Sequence, residues 1–238
     1  MSTTAPNKFT EGKFTEANST EARFTGGKLT RVKDAMPWAW CNLDRNPFGE
    51  MSPADRARLA VVDDLPPEVQ PHSAHQWIAP CGFGKTTRLL AATAAIPGAH
   101  YVYVTPERTC PAFPLADCLV IDEADRMPRR LWRRVVATGR PLLLGTHRSL
   151  SRRLVRAGYQ VQTHSIAQRN RPEHLVQVVL RRLEHCRLDR NQPVPSFSLA
   201  DAKDWFNRYG GNIRAIEFQL YELVQAQRFG HGRLRLVD

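Results

Sequence analysis

The sequence predicts an α/β protein: a compact parallel P-loop sheet flanked by helices, followed by an all-helical C-terminal lid. Three observations predict it. Between residues 75 and 166, short apolar stretches rich in β-branched residues alternate with helix-forming stretches, as in a parallel sheet covered by helices. A glycine-bearing turn joins the first of these strands to the first helix. After Pro172 the strand signals stop and only helical periodicity continues.

The elements follow in order. Residues 1–34 repeat Lys/Arg-Phe-Thr, or Lys-Leu-Thr, from positions 8, 13, 23 and 28 in a polar context. Irregular spacing argues against a packed repeat, so a disordered low-complexity tail is expected, with recruitment of a protein partner as its other reading. Residues 35–168 are expected to form the core with an N-terminal arm, and residues 169–238 the helical lid. In the arm, Trp38, Trp40 and Phe48 are expected to pin the chain onto the core. Ser52-Pro-Ala-Asp starts a short helix, with Ser52 as cap and proline at the first turn. His75-Gln-Trp-Ile-Ala reads as the first strand. Strands two to five are expected over 101–105, 117–125, 140–148 and 158–166. Helices are expected over 86–95 (opening at Lys85), 129–138 and 149–157. Only 37 positions separate Lys85 from Asp122, which leaves little room for a full helix between the second and third strands. The lid helices are placed at 172–188, at 198–210 with Ser198 as cap and Gly210-Gly211 as stop, and at 212–229.

Composition narrows the function classes. The 238 residues are 42% hydrophobic, and no apolar run approaches the roughly 20 residues that a membrane-spanning helix needs. The first 20 residues lack the apolar core of a secretion signal. Cys41, Cys81, Cys110, Cys118 and Cys186 are scattered and form no Cys-x-x-Cys pair. Neither a disulfide framework nor a zinc site is indicated, and a reducing cytoplasm is the expected compartment. The net charge is +11, and it is uneven. From Arg126 to Arg190 there are sixteen arginines and no lysine, against Glu173, Glu184 and Asp189. Such a field attracts polyanions, DNA first among them; its plain alternative is a set of solvated basic helix faces.

The glycine-bearing turn carries the chemistry. Ala79-Pro80-Cys81-Gly82-Phe83-Gly84-Lys85-Thr86, followed by Thr87, fits the phosphate-binding spacing G-x-x-x-x-G-K-[ST], with Ala79 in place of the first glycine. A strand, a tight loop and a helix N-terminus aim several backbone N–H groups at one point, where anions bind. Gly82 and Gly84 permit the torsions and close approach this needs. Lys85 is expected to reach the β- and γ-phosphates of ATP, and the Thr86 hydroxyl to hold Mg²⁺. A bare strand-to-helix turn is the plain alternative. Downstream, Cys118-Leu-Val-Ile-Asp-Glu places Asp122 and Glu123 at the carboxyl end of an apolar strand, where ligands bind in open parallel sheets. Asp122 is the candidate Mg²⁺ holder and Glu123 the candidate for polarising an attacking water. Asp125 is expected to be a surface residue. The letters "DEAD" suggest an RNA helicase, but the chain has length for one core of that kind and not two.

This order of motifs resembles an AAA+ ATPase over about residues 45–229. The resemblance implies a polar sensor at the end of the next strand, where this chain has Thr146 and His147. It implies a second sensor arginine in the lid, matched by Arg214 in "GGNIRAI". It also implies assembly into a homo-oligomer, with an arginine finger from the helix after the first sensor, so Arg152, Arg153 and Arg156 are candidates. The "NPF" loop and the "GGNIR" lid are most similar to the branch containing replication-initiator-like and transposition- or secretion-type ATPases. An ATP-driven switch or loader acting on DNA or a DNA-bound complex is the expected function. The alternative is an ATP-dependent scaffold or regulator of a protein partner.

Overall fold

The computed structural model describes residues 36–66, 68–108, 115–228 and 235–236. The Lys/Arg-Phe-Thr tail, with its expected disorder, lies outside the described residues.

In chain order the elements are α1 (Pro53–Arg58), β1 (Ser73–Ile78), α2 (Lys85–Ala95), β2 (Ala99–Tyr103) and β3 (Cys118–Asp122). They continue with α3 (Arg129–Ala137), β4 (Leu142–Thr146), α4 (Ser151–Arg156) and β5 (Gln160–Ser165). Helices α5 (Pro172–His185), α6 (Leu199–Tyr209) and α7 (Ile213–Ala226) close the described chain. The five strands form one parallel sheet in the order β2-β3-β4-β1-β5.

Alternation explains why both faces of this sheet are covered. Leu119, Ile121, Leu142 and Leu144 point to one face and pack with Trp132, Val135, Leu150 and Leu154 from α3 and α4. Cys118, Val120 and Leu143 point to the other and pack with Leu89 and Ala92 of α2 and with Trp77. The central strands β3 and β4 are buried throughout, so they read as continuous apolar runs. β5 lies at an edge, and five of its six residues are polar and partly or fully exposed. Expected and observed strands coincide within a few residues. The largest difference is in the third, which stops at Asp122 because Glu123 takes a left-handed conformation (φ 58°) and turns the chain out of the sheet.

The arm is not where the sequence reading put it. Leu43 and Phe48 belong to the apolar cluster of α5, α6 and α7, with Trp38 and Trp40 packed against it, and not to either face of the sheet. The Trp38 indole donates to the Val224 carbonyl at 3.1 Å, and Leu43 bridges to Arg187. A three-helix unit has too little apolar area of its own, and the arm's aromatics complete its core. Caps agree with expectation: Ser52 accepts from the Asp55 amide, and Ser198 and Asp201 form a reciprocal capping box. Among the described residues no helix is long and apolar enough to cross a membrane.

Candidate functional site

The strand order sets the site. β1 feeds a helix that carries the chain to the far edge at β2, while β5 lies on the opposite side of β1. The carboxyl end of β1 is therefore a point where connections diverge, and a crevice opens there. The loop Ala79–Gly84 occupies that crevice and leads into α2, an eleven-residue helix whose first turn has no side-chain cap. Its leading amides lack acceptors within the helix and face outward.

Gly82 and Gly84 both take positive φ, 88° and 94°. At Gly82 a Cβ would also lie 2.2 Å from Oδ1 of Asn212, so only glycine lets the C-terminal helices approach the loop this closely. Lys85 is 5% exposed, and its Nζ donates to the carbonyls of Ala79 (2.9 Å) and Pro80 (3.2 Å). The loop is thus wrapped around its own ammonium group, and none of the described carboxylates lies within salt-bridge distance of it. A cation held only by neutral carbonyls draws an anion.

Behind the loop, the Thr86 hydroxyl donates to Asp122 Oδ2 at 2.6 Å, and Tyr101 donates to the same oxygen at 3.0 Å. Burial, followed by the neighbouring Asp122 carboxylate, pushes the Tyr101 phenol well above its ordinary pKa, so it stays a donor. Asp122 is 1% exposed and sits this deep because Gly145 leaves room: a Cβ there would be 2.7 Å from Asp122 Oδ1. The neighbouring Glu123 lines the cleft. Its Oε2 is 2.9 Å from His147 Nε2 and 3.2 Å from Arg126 Nη2. The positive φ that aims this side chain costs about 1–3 kcal/mol, the kind of strain found at working sites.

The cleft lies between the loop and the C-terminal helices and is open to solvent. Cys81, Gly82, Gly84, Lys85, Thr86 and Thr87 form one wall, Glu123 the floor, and Arg56, Arg182, Ile213, Arg214 and Glu217 the other wall. Four cationic side chains face two carboxylates, and one of those, Glu217, is already bound by Arg182 at 2.6 Å. The remaining field favours an anion. The Arg214 amide donates to the Gly82 carbonyl at 3.0 Å, and its guanidinium lies 3.2 Å from Cys81 Sγ. An apolar extension lined by Met51, Leu59, Val62 and Val178 continues the cleft beside Phe83.

The structure thus brings Lys85, Thr86, Asp122, Glu123 and Arg214 together. The sensor candidates separate: His147 touches Glu123, whereas Thr146 is fully buried with its hydroxyl between Asp125 Oδ1 (3.1 Å) and the Arg148 carbonyl (2.8 Å). Asp125 is therefore not the surface residue expected; it also accepts from the His147 amide at 3.3 Å and is only partly exposed. Arg152, Arg153 and Arg156 do not line the cleft. Sequence reasoning missed Tyr101, Arg56, Arg182 and Asn170. The last donates from Nδ2 to the carbonyls of Phe83 (3.1 Å) and Gly211 (2.8 Å), tying the loop to the turn before α7. Only the asparagine's position, just ahead of the first C-terminal helix, could have drawn attention to it.

Thr86 and Asp122 offer the oxygen donors that Mg²⁺ takes, one hydroxyl and one carboxylate beside the loop Ala79–Gly84, and that set fits the ion. Among the described residues no group of three or more His, Cys, Asp or Glu side chains forms a metal cage of its own. No protein-family model matches the chain, and no curated protein is significantly similar to it.

Proposed function

We propose that the chain is a Mg²⁺-dependent P-loop ATPase resembling the AAA+ family, working as a nucleotide switch or loader. One observation carries the reading: the loop with Lys85 and Thr86, the strained Glu123 and the Arg214 guanidinium, from three distant parts of the chain, converge on one cationic cleft. The triphosphate lies along the loop amides, and the base enters the apolar extension beside Phe83. Lys85 exchanges the Ala79 and Pro80 carbonyls for phosphate oxygens. Thr86 and Asp122 would hold Mg²⁺, which would supply positive charge beside the phosphates. Glu123 accepts a proton from the attacking water, while His147 and Arg126 keep its carboxylate pointed into the cleft. Arg214 matches the charge that develops on the γ-phosphate oxygens.

Calorimetric titration with Mg·ATP tests the reading. The wild type should bind, and Lys85→Ala should bind at least about 100-fold more weakly, a loss of about 2.7 kcal/mol. Wild-type affinity in the variant overturns the cradle assignment. Binding without phosphate release by the wild type favours the second function class, a nucleotide-dependent scaffold.

A further inference from the structure

The arginines of the segment 126–190 fall into two populations. In the α5 region four are engaged: Arg182 with Glu217, Arg187 with Glu184, Arg169 with Asp64, and Arg181 with the Ala60 carbonyl. On α3 and α4 they are not. α3 carries Arg129, Arg130, Arg133 and Arg134, all exposed, at spacings that put them on the side opposite Trp132 and Val135. α4 adds Arg152 and Arg156, both exposed, and Arg153. Among the described residues none of these seven is in a salt bridge. The two helices cover the same face of the sheet and meet where the Arg153 guanidinium stacks 4.3 Å over the Trp132 ring. Burial, then the nearby Arg129 and Arg148, lowers the Arg153 pKa.

We propose that this α3–α4 face binds the sugar-phosphate backbone of duplex DNA without reading its sequence. Charge complementarity identifies the occupant. Each strand of duplex DNA carries about one charge per 3.4 Å of axis, so the arginines of α3, spread over roughly 13 Å, match the phosphate spacing of one strand. Guanidinium forks pair bidentately with phosphate oxygens. Single strands are held by stacking on exposed aromatic rings, but the one aromatic side chain of α3 and α4, Trp132, is buried beneath Arg153. Double-stranded RNA is read through its 2′-hydroxyls, and Ser151 is the only hydroxyl or amide side chain on the two helices. The proposal stands apart from the ATP reading, because none of these arginines lines the cleft.

The experiment is fluorescence anisotropy of a labelled 30-base-pair duplex against the full chain, from about 50 to 200 mM salt. Micromolar binding with a steep salt slope is expected for the wild type. The variant Arg133→Ser/Arg134→Ser/Arg152→Ser/Arg156→Ser should bind at least tenfold more weakly, with a log–log slope shallower by about 3–4. A charge-matched control, Arg45→Ser/Arg108→Ser/Arg171→Ser/Lys203→Ser, should change little. If the quadruple variant does not fold, the pair Arg133→Ser/Arg134→Ser should show about half the slope change. Equal losses in variant and control would mean that net charge alone matters, and would overturn the assignment. So would no duplex binding by the wild type, or tighter binding to double-stranded RNA, polyglutamate or anionic vesicles than to DNA. The pair Arg133→Ser/Arg134→Ser should bind Mg·ATP like the wild type, so failure here is distinguishable from failure of the nucleotide reading.

Discussion

The two walls of the cleft are built differently. The cradle wall is one covalent run, Ala79 to Thr87, strung between a buried strand and the helix it leads into. The opposite wall takes Arg56, Arg182, Arg214 and Glu217 from three helices spread over most of the described chain. The first wall exists as soon as β1 and α2 form. The second exists only when the C-terminal unit docks. On the loop side the Arg214 amide on the Gly82 carbonyl and the two bonds of Asn170 hold it, and on the α1 side His174 pairs with the Val61 carbonyl and Arg181 donates to the Ala60 carbonyl. On the proposed ATPase reading, a local wall is suited to permanent recognition of phosphate, and a docked wall to sensing whether the γ-phosphate is present.

The sharpest break lies at the floor that both walls share. Glu123→Gln should lower kcat by about 10²–10⁴ in a phosphate-release assay while ATP affinity holds. Asp122→Asn should instead raise the Mg²⁺ concentration needed for binding. Normal release from both variants would remove the strand end from catalysis.

The junction between the walls comes next. Asn170→Ala leaves the Phe83 and Gly211 carbonyls without their shared donor, at a cost of about 1–3 kcal/mol by denaturant unfolding. Amide exchange should quicken at residues 210–215 and hold steady along α2. Equal acceleration on both sides would show that the walls open as one unit.

Arg214 isolates the docked wall. With a non-hydrolysable ATP analogue, exchange across residues 205–225 should be slower than with ADP. Arg214→Ala should erase the difference and weaken ATP binding about tenfold, about 1.4 kcal/mol, with ADP affinity unchanged. Identical exchange in the two nucleotide states of the wild type would leave the wall passive.

The smallest effect is the pH dependence of the same wall. His174 on α5 pairs through Nε2 with the Val61 carbonyl, while its Nδ1 is buried without a partner. Burial holds its pKa below the ordinary 6.5, with Arg88 adding to the shift and the Val61 bond, Asp63 and Asp64 opposing it. The unfolded chain takes up this proton first. Stability should therefore be complete above about pH 6.5 and fall as pH drops toward the lowered value, by at most about 1.4 kcal/mol per pH unit. His75 and His164, lowered chiefly by burial, add slopes of the same sign from the sheet. Denaturant midpoints at pH 7.5 and 5.5 should differ less in His174→Gln than in the wild type; equal differences would exclude His174 from the acid response.

Much of the fold was legible. The five strands and the flanking helices were marked by apolar runs, caps and the Gly-Phe-Gly-Lys turn, all of them local signals. The turn between β1 and α2 was legible for the same reason, since it is one run of consecutive positions. Asp125 was misplaced because nothing local distinguishes a carboxylate that meets Thr146 of the neighbouring strand from one that meets water. The arm was misplaced because its tryptophans and Phe48 signal burial without saying against what.

The sequence by itself therefore determined the alternation of strands and helices, the glycine turn before Lys85, and the excess of positive charge, because each is read from local runs or from composition. Only the tertiary structure decided that His147, and not Thr146, meets Glu123, and that Tyr101 joins Thr86 on Asp122. It alone separated the engaged arginines near α5 from the unpaired ones on α3 and α4. The physical reason is common to all three: strand register and helix docking join positions that are tens of residues apart, and whether a charge is paired depends on what those packings bring within about 4 Å of it.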